Sequence, residues 1–458
     1  MANVAAGSEE RMATDGIWGL MFKMALPAII AQVINILYNI VDRMYIGHIP
    51  GAGSAALTGV GVTFAIVTFV SAFSAFVGSG GAPLAAISMG KGDKKNAERI
   101  LGNGVCLLII FTCMIMAFFY IFEKPFLYMF GASDATYPYA SEYIKIYLAG
   151  TIFVEFALGL NPYIICQGKS KTAMLSVLIG AIINIALDPL FIFVFDMGVK
   201  GAALATVISQ FFSAVWVVGF LWGKKSSLRI KPQYIRLKFD VTKQIFALGL
   251  SPFIMSATEC LISLVLNRGL QKYGGDIYVG TLTIMQSVMM LIFAPVQGFT
   301  QGVQPILSYN FGAGLFERVK KTYKRLIGIS FSFTSVLTLT TMLFPTFYAA
   351  MFTEDDKVIS LVGECMPVFM AGMLVFGIQS GIQPTFISMG QAKLSIFIAV
   401  LRKLILLIPL AIILPHFFGV MGIYYAEPIS DVLSATTAAI LFALNIKKMM
   451  TKEYLQSV

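Results

Sequence analysis

Long apolar runs alternate with short polar segments along the whole chain. Runs long enough to cross a bilayer as a helix, about 20 residues, lie at 18–46, 54–80, 100–122, 138–163, 172–195, 199–222, 243–270, 277–304, 324–350, 358–386, 394–415 and 419–445. None shows the two-residue alternation of a barrel strand, and a backbone in lipid must satisfy its own hydrogen bonds. The pattern therefore predicts an all-α membrane protein with twelve transmembrane helices.

The chain also repeats itself. The segment NPYIICQGKSK from Asn161 resembles QPTFISMGQAK from Gln383, and GVKGAALATVIS from Gly198 resembles GVMGIYYAEPIS from Gly419. This duplication predicts two six-helix lobes that begin on the same side of the membrane. The predicted divisions are an N-terminal segment 1–17, an N-lobe 18–222, a linker 223–242, a C-lobe 243–445 and a tail 446–458.

Composition agrees with a bilayer environment. Hydrophobic residues make up 58% of the 458 positions and charged residues 12%, against about 45–50% and 25% in soluble domains. The net charge of +10 does not indicate nucleic-acid binding, because Lys and Arg collect in the loops after the even-numbered helices. The positive-inside rule places those loops, and both termini, in the cytoplasm. The first 17 residues lack the apolar core of a signal peptide, so the first helix is expected to stay in the membrane.

Several chemistries have no residues to support them. The five cysteines lie in apolar runs without paired spacing, and the two histidines, His48 and His416, lie at outer loop positions. We therefore expect no disulfide framework, no histidine or cysteine metal centre, no organic cofactor and no enzymatic activity. Gly168-Lys169-Ser170 resembles the end of a phosphate-binding loop, but Tyr163 stands where that motif requires glycine.

Acids inside membrane spans are candidate functional residues, because a charge at mid-bilayer costs at least about 2.5–3.5 kcal/mol. In the first half, three polar faces are predicted to converge on one cavity. They comprise Asn35, Tyr38, Asn39 and Asp42 in helix 1, Asn184 and Asp188 in helix 5, and Thr206, Ser209, Gln210 and Ser213 in helix 6. Their carboxylate, amide and hydroxyl oxygens suit a small cation or a proton relay.

Other interpretations of these positions stay open. Asp42 can simply reach interfacial water beside Arg43, and Asp188 can make a structural bond to a neighbouring helix. The repeats disagree here, because Asn267 replaces Asp42 and Pro409 replaces Asp188 in the second half. Pro27, inside helix 1, predicts either a movable bend or a static kink.

The second half has its own ionisable residues inside predicted spans: Glu259 in helix 7, Arg402 and Lys403 in helix 11, and Glu427 and Asp431 in helix 12. Acids and bases at similar depth are expected to pair, which lowers the cost of insertion. A structural ion-pair network is the favoured interpretation, and a role in transport stays open. Glu155, in helix 4, has no partner that the sequence identifies.

The ordered motifs resemble a known family. The segments LPAIIAQVINILYNIVDRMYIG, NPYIICQGKSK, NIALDPLFIF, GVKGAALATVISQ, LRKLILLIPL and AEPISD are similar to those of the multidrug and toxic compound extrusion (MATE) antiporters, especially their bacterial DinF-like branch. The resemblance covers nearly the whole chain. It implies a monomer in a bacterial plasma membrane that exports organic cations and amphipathic compounds in exchange for inward Na⁺ or H⁺ by alternating access.

The resemblance also implies residue roles. Asp42, Asn184, Asp188 and Thr206 match the positions associated with the coupling ion, while Tyr38, Tyr143 and Asn161 match neighbours of the same cavity. The NorM-like branch places more of its chemistry on second-half acids, where this chain has Glu259. The alternative function is a lipid-linked oligosaccharide flippase of the same superfamily, which would need a strongly cationic cavity. An intramembrane enzyme or a structural scaffold fits the residues less well.

Overall fold

The computed structural model describes residues 11–50 and 53–457, without the side chains at positions 53, 54, 260, 276 and 457. The description does not include residues 1–10, 51–52 and 458. Residues 1–10 belong to the predicted N-terminal segment. All regular secondary structure among the described residues is helical. This confirms the predicted all-α fold class.

The helices follow the predicted order. They are α1 Ile17–Gly47, α2 Gly53–Gly90, α3 Lys94–Met129, α4 Tyr137–Ala149 and Thr151–Ile165, α5 Ser170–Pro189, α6 Gly198–Trp222, α7 Phe239–Gly274, α8 Asp276–Gly312, α9 Phe316–Leu343, α10 Asp356–Met370 and Met373–Ser388, α11 Ala392–Val400 continuing through Leu401–Leu407 and Ile408–Ile413, and α12 Val420–Met449. Short helices occur at Pro232–Tyr234, Pro345–Ala350, Pro415–Phe418 and Lys452–Ser457.

Ten described helices are long and apolar enough to cross a membrane, and the number is twelve when each bent pair counts as one span. The bent pairs are α4, whose halves meet at 60° at Gly150, and α10, whose halves meet at 44°. The sequence pattern did not predict either break. Both halves of each pair are apolar, so hydrophobicity alone reads them as one continuous span.

Several helices extend beyond the predicted apolar runs. α3 begins at Lys94 instead of 100, and α9 begins at Phe316 instead of 324, because charged residues such as Lys and Glu favour helix as well as Leu does. α7 begins at Phe239, so this helix reaches into the predicted linker 223–242. The prediction for helix 9 is wrong at its other end, because Pro345 begins a separate turn after Leu343.

The linker is bound to the N-lobe. The Gln167 side-chain oxygen accepts hydrogen bonds from the Ser227 amide at 2.8 Å and the Leu228 amide at 3.2 Å. The Asn103 side-chain oxygen accepts one from the Lys238 amide at 2.7 Å. These bonds hold the linker against the ends of α3 and α4 that adjoin the Lys- and Arg-rich loops.

The lobes meet through their first helices, with α7 packed along α2 and α1 packed along α8. Glycines permit the contact. A Cβ atom on Gly80 would lie 2.5 Å from the Ile245 carbonyl oxygen, and one on Gly249 would lie 2.1 Å from the Phe76 carbonyl oxygen. Across α1 and α8, a Cβ on Gly302 would lie 2.5 Å from the Ala25 Cα. The two lobes therefore touch backbone to backbone in the half nearest the basic loops.

Candidate functional site

α1 and α5 bring two acids into the interior of the N-lobe. Asp42 lies in the last two turns of α1 and is 8% exposed, whereas Asp188 is the last residue but one of α5 and is fully buried. Pro189 follows Asp188, and the chain continues as a π-helical turn at Leu190–Val194. π-Helical turns occur often at functional sites. Asp188 thus sits where proline and the wider turn interrupt the regular α-helical hydrogen bonds.

The two carboxyl groups lie within hydrogen-bonding reach of each other. The Asn184 side-chain nitrogen donates a hydrogen bond to Asp188 Oδ1 at 3.3 Å. Among the described residues, Asp42 Oδ1, Asn184 Oδ1 and Asp188 Oδ2 are buried and accept no hydrogen bond. Two carboxylates in contact repel unless a proton or a metal cation lies with them. The oxygen set therefore fits either a proton or a small cation such as Na⁺.

Thr206 lies beside Tyr143, and no hydrogen bond among the described contacts joins it to the carboxyl group of Asp42 or Asp188. The Tyr143 hydroxyl is within hydrogen-bonding reach of the Thr206 hydroxyl. The Tyr143 ring also stacks on Tyr147, with ring centroids 6.3 Å apart. Ser209 Oγ donates to the Thr206 carbonyl oxygen at 2.7 Å. The pair Tyr143–Thr206 thus joins α4 to α6 close to Asp42.

Two adjoining cavities lie about one helical turn along α1 from Asp42, and neither is lined by Asp42 or Asp188 itself. One, of about 30 Å³, is lined by Asn35, Tyr38 and the polar residues Ser176, Gln210 and Ser213. The other, of about 110 Å³, shares Asn35 and extends past Asn161, Gln32 and Met174 to Gln301 of the C-lobe. Neither lining, as far as it is described, includes Lys or Arg. The walls offer amides, hydroxyls and apolar surface to a bound compound.

The predicted cavity residues divide in two. Tyr38 and Asn161 line the cavities, and the Asn161 side-chain nitrogen donates to Ser176 Oγ at 2.7 Å. Asn39 does not line them, because it is exposed and its amide nitrogen donates back to the Asn35 carbonyl oxygen at 2.6 Å. Tyr143 does not line them either, because it is buried against Thr206. One residue along a helix is a turn of about 100°, enough to separate Asn39 from Tyr38.

The sequence analysis missed the glutamines at the base of this space. Gln32 of α1 donates a side-chain hydrogen bond to Gln301 of α8 at 3.2 Å, which links the two lobes. Both glutamines lie within otherwise apolar spans, and this was the sequence signal that could have identified them. Pro27 is buried within α1, and the helix is continuous through it. Whether Pro27 serves as a movable bend stays a prediction.

The C-lobe acids and bases pair, as the sequence predicted. Arg402 Nε donates to Asp431 Oδ1 at 2.7 Å, and Arg402 Nη2 donates to Glu427 Oε1 at 3.3 Å. Lys403 Nζ donates to Glu259 Oε2 at 2.7 Å. The sequence did not predict that both bases lie in a π-helical segment of α11, Leu401–Leu407. Arg402 binds acids of α12, whereas Lys403 binds Glu259 of α7.

No charged side chain pairs with Glu155 among the described residues, although the Ser74 hydroxyl lies near its carboxyl group. Glu155 is fully buried in the second half of α4, five residues after the break at Gly150. Within the described part of the chain, neither carboxyl oxygen has a hydrogen-bond partner. An acid in this position is expected to be neutral, because an isolated buried carboxylate is strongly disfavoured.

Both lobes of the chain are similar to known transport proteins. The MatE family model matches residues 27–190 and 252–413, once in each lobe. The multidrug export protein MepA of Staphylococcus haemolyticus is 24% identical over 93% of this chain and 93% of its own length. The structure titled "Outward-facing conformation of a multidrug resistance MATE family transporter of the MOP superfamily" aligns with a TM-score of 0.87 at 22% identity, covering 96% of this chain and 98% of that chain. The structure titled "Crystal structure of MATE in the bent conformation" gives a TM-score of 0.88 at 22% identity, with the same coverages.

Proposed function

This chain belongs to the MatE family of multidrug transporters, and on that premise we propose that it is an antiporter that exports organic cations or amphipathic compounds in exchange for an inward cation. The observation that carries the proposal is the contact between the Asp42 and Asp188 carboxyl groups. Asp42 lies one turn of α1 from Tyr38, which lines a cavity together with Asn35 and Gln210. Cation and drug would therefore use neighbouring surfaces of the same helix, α1.

In this proposal, charge couples the binding of the cation to the binding of the drug. A cation bound between Asp42 and Asp188 neutralises a pair that otherwise attracts a cationic compound to the adjoining cavity. Binding of either cation thus weakens binding of the other, which is the requirement for exchange in place of cotransport. The amide and hydroxyl groups of the cavity walls add hydrogen bonds without a fixed charge, so they tolerate substrates of differing shape.

The energetics favour inward movement of the coupling cation. A monovalent cation entering a cell gains about 2.3 kcal/mol per 100 mV of inside-negative potential. Export of one cationic drug costs the same amount, so a one-for-one exchange is electrically neutral. Uphill export by that exchange would draw on the concentration gradient of the coupling ion.

We favour Na⁺ over H⁺ as the coupling ion. The Asn184 amide oxygen is buried and accepts no hydrogen bond among the described groups. An amide does not take up a proton at physiological pH, but it is an ordinary oxygen ligand for a hard cation. Together with the oxygens of Asp42 and Asp188, it offers a donor set that a proton site would not need.

Alternating access is the proposed route. The backbone contacts of Gly80, Gly249 and Gly302 close the space between the lobes near the basic loops, so these contacts would have to separate to open that side. A bend of α1 at Pro27 would alter the wall that carries Asn35, Tyr38 and Asp42. The existence of related structures titled as outward-facing and as bent supports both movements.

The test is drug efflux from proteoliposomes under an imposed Na⁺ gradient alone and then under a pH gradient alone. We expect the Na⁺ gradient to drive efflux, and Asn184→Ala to weaken that response. The matched control is Asn445→Ala in α12, since the Asn445 side-chain amide donates to the Leu441 carbonyl oxygen of its own helix turn. Efflux that follows only the pH gradient, with a harmless Asn184→Ala, would make the cluster a proton relay. If neither gradient drives efflux, the antiporter proposal fails.

The flippase alternative is not supported by the cavity. A lipid-linked pyrophosphate requires cationic groups, and the described linings of the N-lobe cavities contain none. Lipid flipping is the assay to perform only after both gradients have failed to drive drug efflux.

A further inference from the structure

The C-lobe contains a buried charge cluster whose signs do not cancel. Glu427 and Asp431 lie one turn apart on α12 and both bind the single guanidinium group of Arg402. The three side chains are 5%, 1% and 5% exposed respectively. Asp431 Oδ2 is buried and has no hydrogen-bond partner in the described part of the chain. We refer to Arg402, Glu427 and Asp431 as the C-lobe triad.

Neighbouring groups do not correct the imbalance. On α7, Glu259 is occupied by Lys403 of α11, so that pair is already neutral. On α10, the Phe376 ring lies 4.1 Å from the Arg402 guanidinium carbon, and the Gln379 side-chain oxygen accepts a hydrogen bond from Ser434. Both are neutral. With both acids ionised, the triad would hold one negative charge in excess inside the membrane, which is costly.

The internal repeat shows that this charge is peculiar to the C-lobe. Aligning Gly198 with Gly419 places Glu427 opposite Thr206 and Asp431 opposite Gln210. The N-lobe thus carries neutral side chains on α6 where the C-lobe carries two acids on α12. Glu427 and Asp431 thus occupy positions equivalent to Thr206 and Gln210, which lie near the candidate coupling site of the N-lobe. In the C-lobe, the two acids at these positions bind the guanidinium group of Arg402.

We propose that Glu427 and Asp431 share one exchangeable proton and give the C-lobe its own ion-binding site, an inference that rests on the proposed antiport function. A proton suits the site better than a metal ion does. Arg402 already lies between the carboxyl groups, and a metal cation there would meet its positive charge at close range.

A route for this proton leads through Glu259. Its side chain is 51% exposed although it lies within a membrane span, and charged groups in such spans face water-filled space or the protein interior. Lys403 contacts Glu259 and also acts electrostatically on Glu427. On uptake, hydronium gives up a proton and a triad carboxylate forms an O–H bond. On release, the same O–H bond breaks to water, so no oxidant or further reactant is needed.

A proton bound by the triad would change the driving force for export. One cation at the N-lobe site exchanged for one cationic drug moves no net charge. A proton entering through the C-lobe in the same cycle would make the exchange move net positive charge inward. The membrane potential would then drive export in addition to the ion gradient.

The first test measures protonation directly. Infrared difference spectra of the purified full-length protein, recorded as pH is raised, report the carbonyl stretch of protonated carboxyl groups. The background is Asp42→Asn/Asp188→Asn, which removes the N-lobe contribution. We expect Glu427→Gln and Asp431→Asn each to abolish one titrating carboxyl signal, whereas Glu155→Gln, which removes a different buried acid, leaves that signal in place. Spectra unchanged by both triad substitutions would overturn the proposal.

The second test counts protons during transport. In proteoliposomes with wild-type N-lobe acids, an internal pH dye gives the number of protons moved per drug molecule. That ratio should fall by one in Glu427→Gln and in Asp431→Asn while drug efflux continues, and it should not change in Glu142→Gln. An unchanged ratio in both variants contradicts the proposal. If wild type exports no drug, the antiport proposal fails, but the infrared titration still decides whether the triad binds a proton.

Stability gives a third measurement that does not depend on either assay. Each single amide substitution leaves one acid for Arg402, so we expect unfolding temperatures at neutral pH equal to or above that of wild type. The double substitution Glu427→Gln/Asp431→Asn leaves the buried guanidinium without an anionic partner and should lower the unfolding temperature below both single variants. Strong destabilisation by each single variant would instead show that both acids are needed in ionised form.

Discussion

Asp42 of α1 and Asp188 of α5 meet carboxyl to carboxyl inside the N-lobe. Helices α1 and α5 pack against each other, which brings together two acids that lie far apart in the chain. The Asn184 amide donates to only one of the pair, at 3.3 Å. The geometry therefore provides more acceptor oxygens than donors, as a cation-binding site requires.

Replacing either acid should stop coupled export. Asp42→Asn and Asp188→Asn keep the size of the side chain but remove the charge that holds a cation. We expect drug efflux from proteoliposomes to fall to the level of protein-free vesicles. The control is Glu142→Gln, since Glu142 forms an exposed ion pair with Lys200 at 3.3 Å, and such pairs contribute about 0–1 kcal/mol. Wild-type efflux in both aspartate variants would contradict the site.

Loss of the C-lobe guanidinium should destabilise the fold. Arg402→Met leaves Glu427 and Asp431 buried without their cation, and removal of one partner from a buried pair costs about 3–5 kcal/mol. The matched control is Lys200→Met, which breaks the exposed pair with Glu142 and should cost no more than about 1 kcal/mol. Thermal or denaturant unfolding in one detergent measures both. Equal stability of the two variants would argue against a buried network.

The glycine contact between the lobes should be sensitive to a single methyl group. A Cβ on Gly249 would lie 2.1 Å from the Phe76 carbonyl oxygen, whereas one on Gly219 meets nothing within 4 Å. Gly249→Ala must therefore push α7 from α2, at a cost of about 1–3 kcal/mol. Gly219→Ala should be neutral or stabilising by up to about 1 kcal/mol. The unfolding temperatures of the two variants check this contact. Equal temperatures would show that α7 and α2 do not touch at Gly249.

The orientation of the chain can be tested with introduced cysteines. The basic loops predict that Lys224 faces the cytoplasm and Ser133 the outside, and both are exposed. In a cysteine-free background, needed because Cys113 is exposed, an impermeant thiol reagent should label Ser133→Cys in intact cells and Lys224→Cys only after permeabilisation. The reverse result would invert the topology. Ser227, also in the linker, is unsuitable because it is buried.

The sequence alone predicted the number of spans, their division into two lobes and the helical fold. Bilayer thickness determines how long an apolar helix must be, and the lipid's lack of hydrogen-bonding groups excludes other backbones, so both properties can be read from the chain. The cost of a buried charge identified Asp188 and the C-lobe ion pairs by the same reasoning. Helix ends were less predictable, because charged residues such as Lys94 and Glu317 continue a helix into water.

Tertiary structure decided which of those polar residues meet. The periodicity of α1 placed Tyr38 and Asn39 on one face, but packing against α5 turned only Tyr38 to the cavity. The bend at Gly150 and the π-helical segment Leu401–Leu407 have no compositional signature. They arise because neighbouring helices compensate for displaced backbone hydrogen bonds, a property of the packed bundle that no single segment carries.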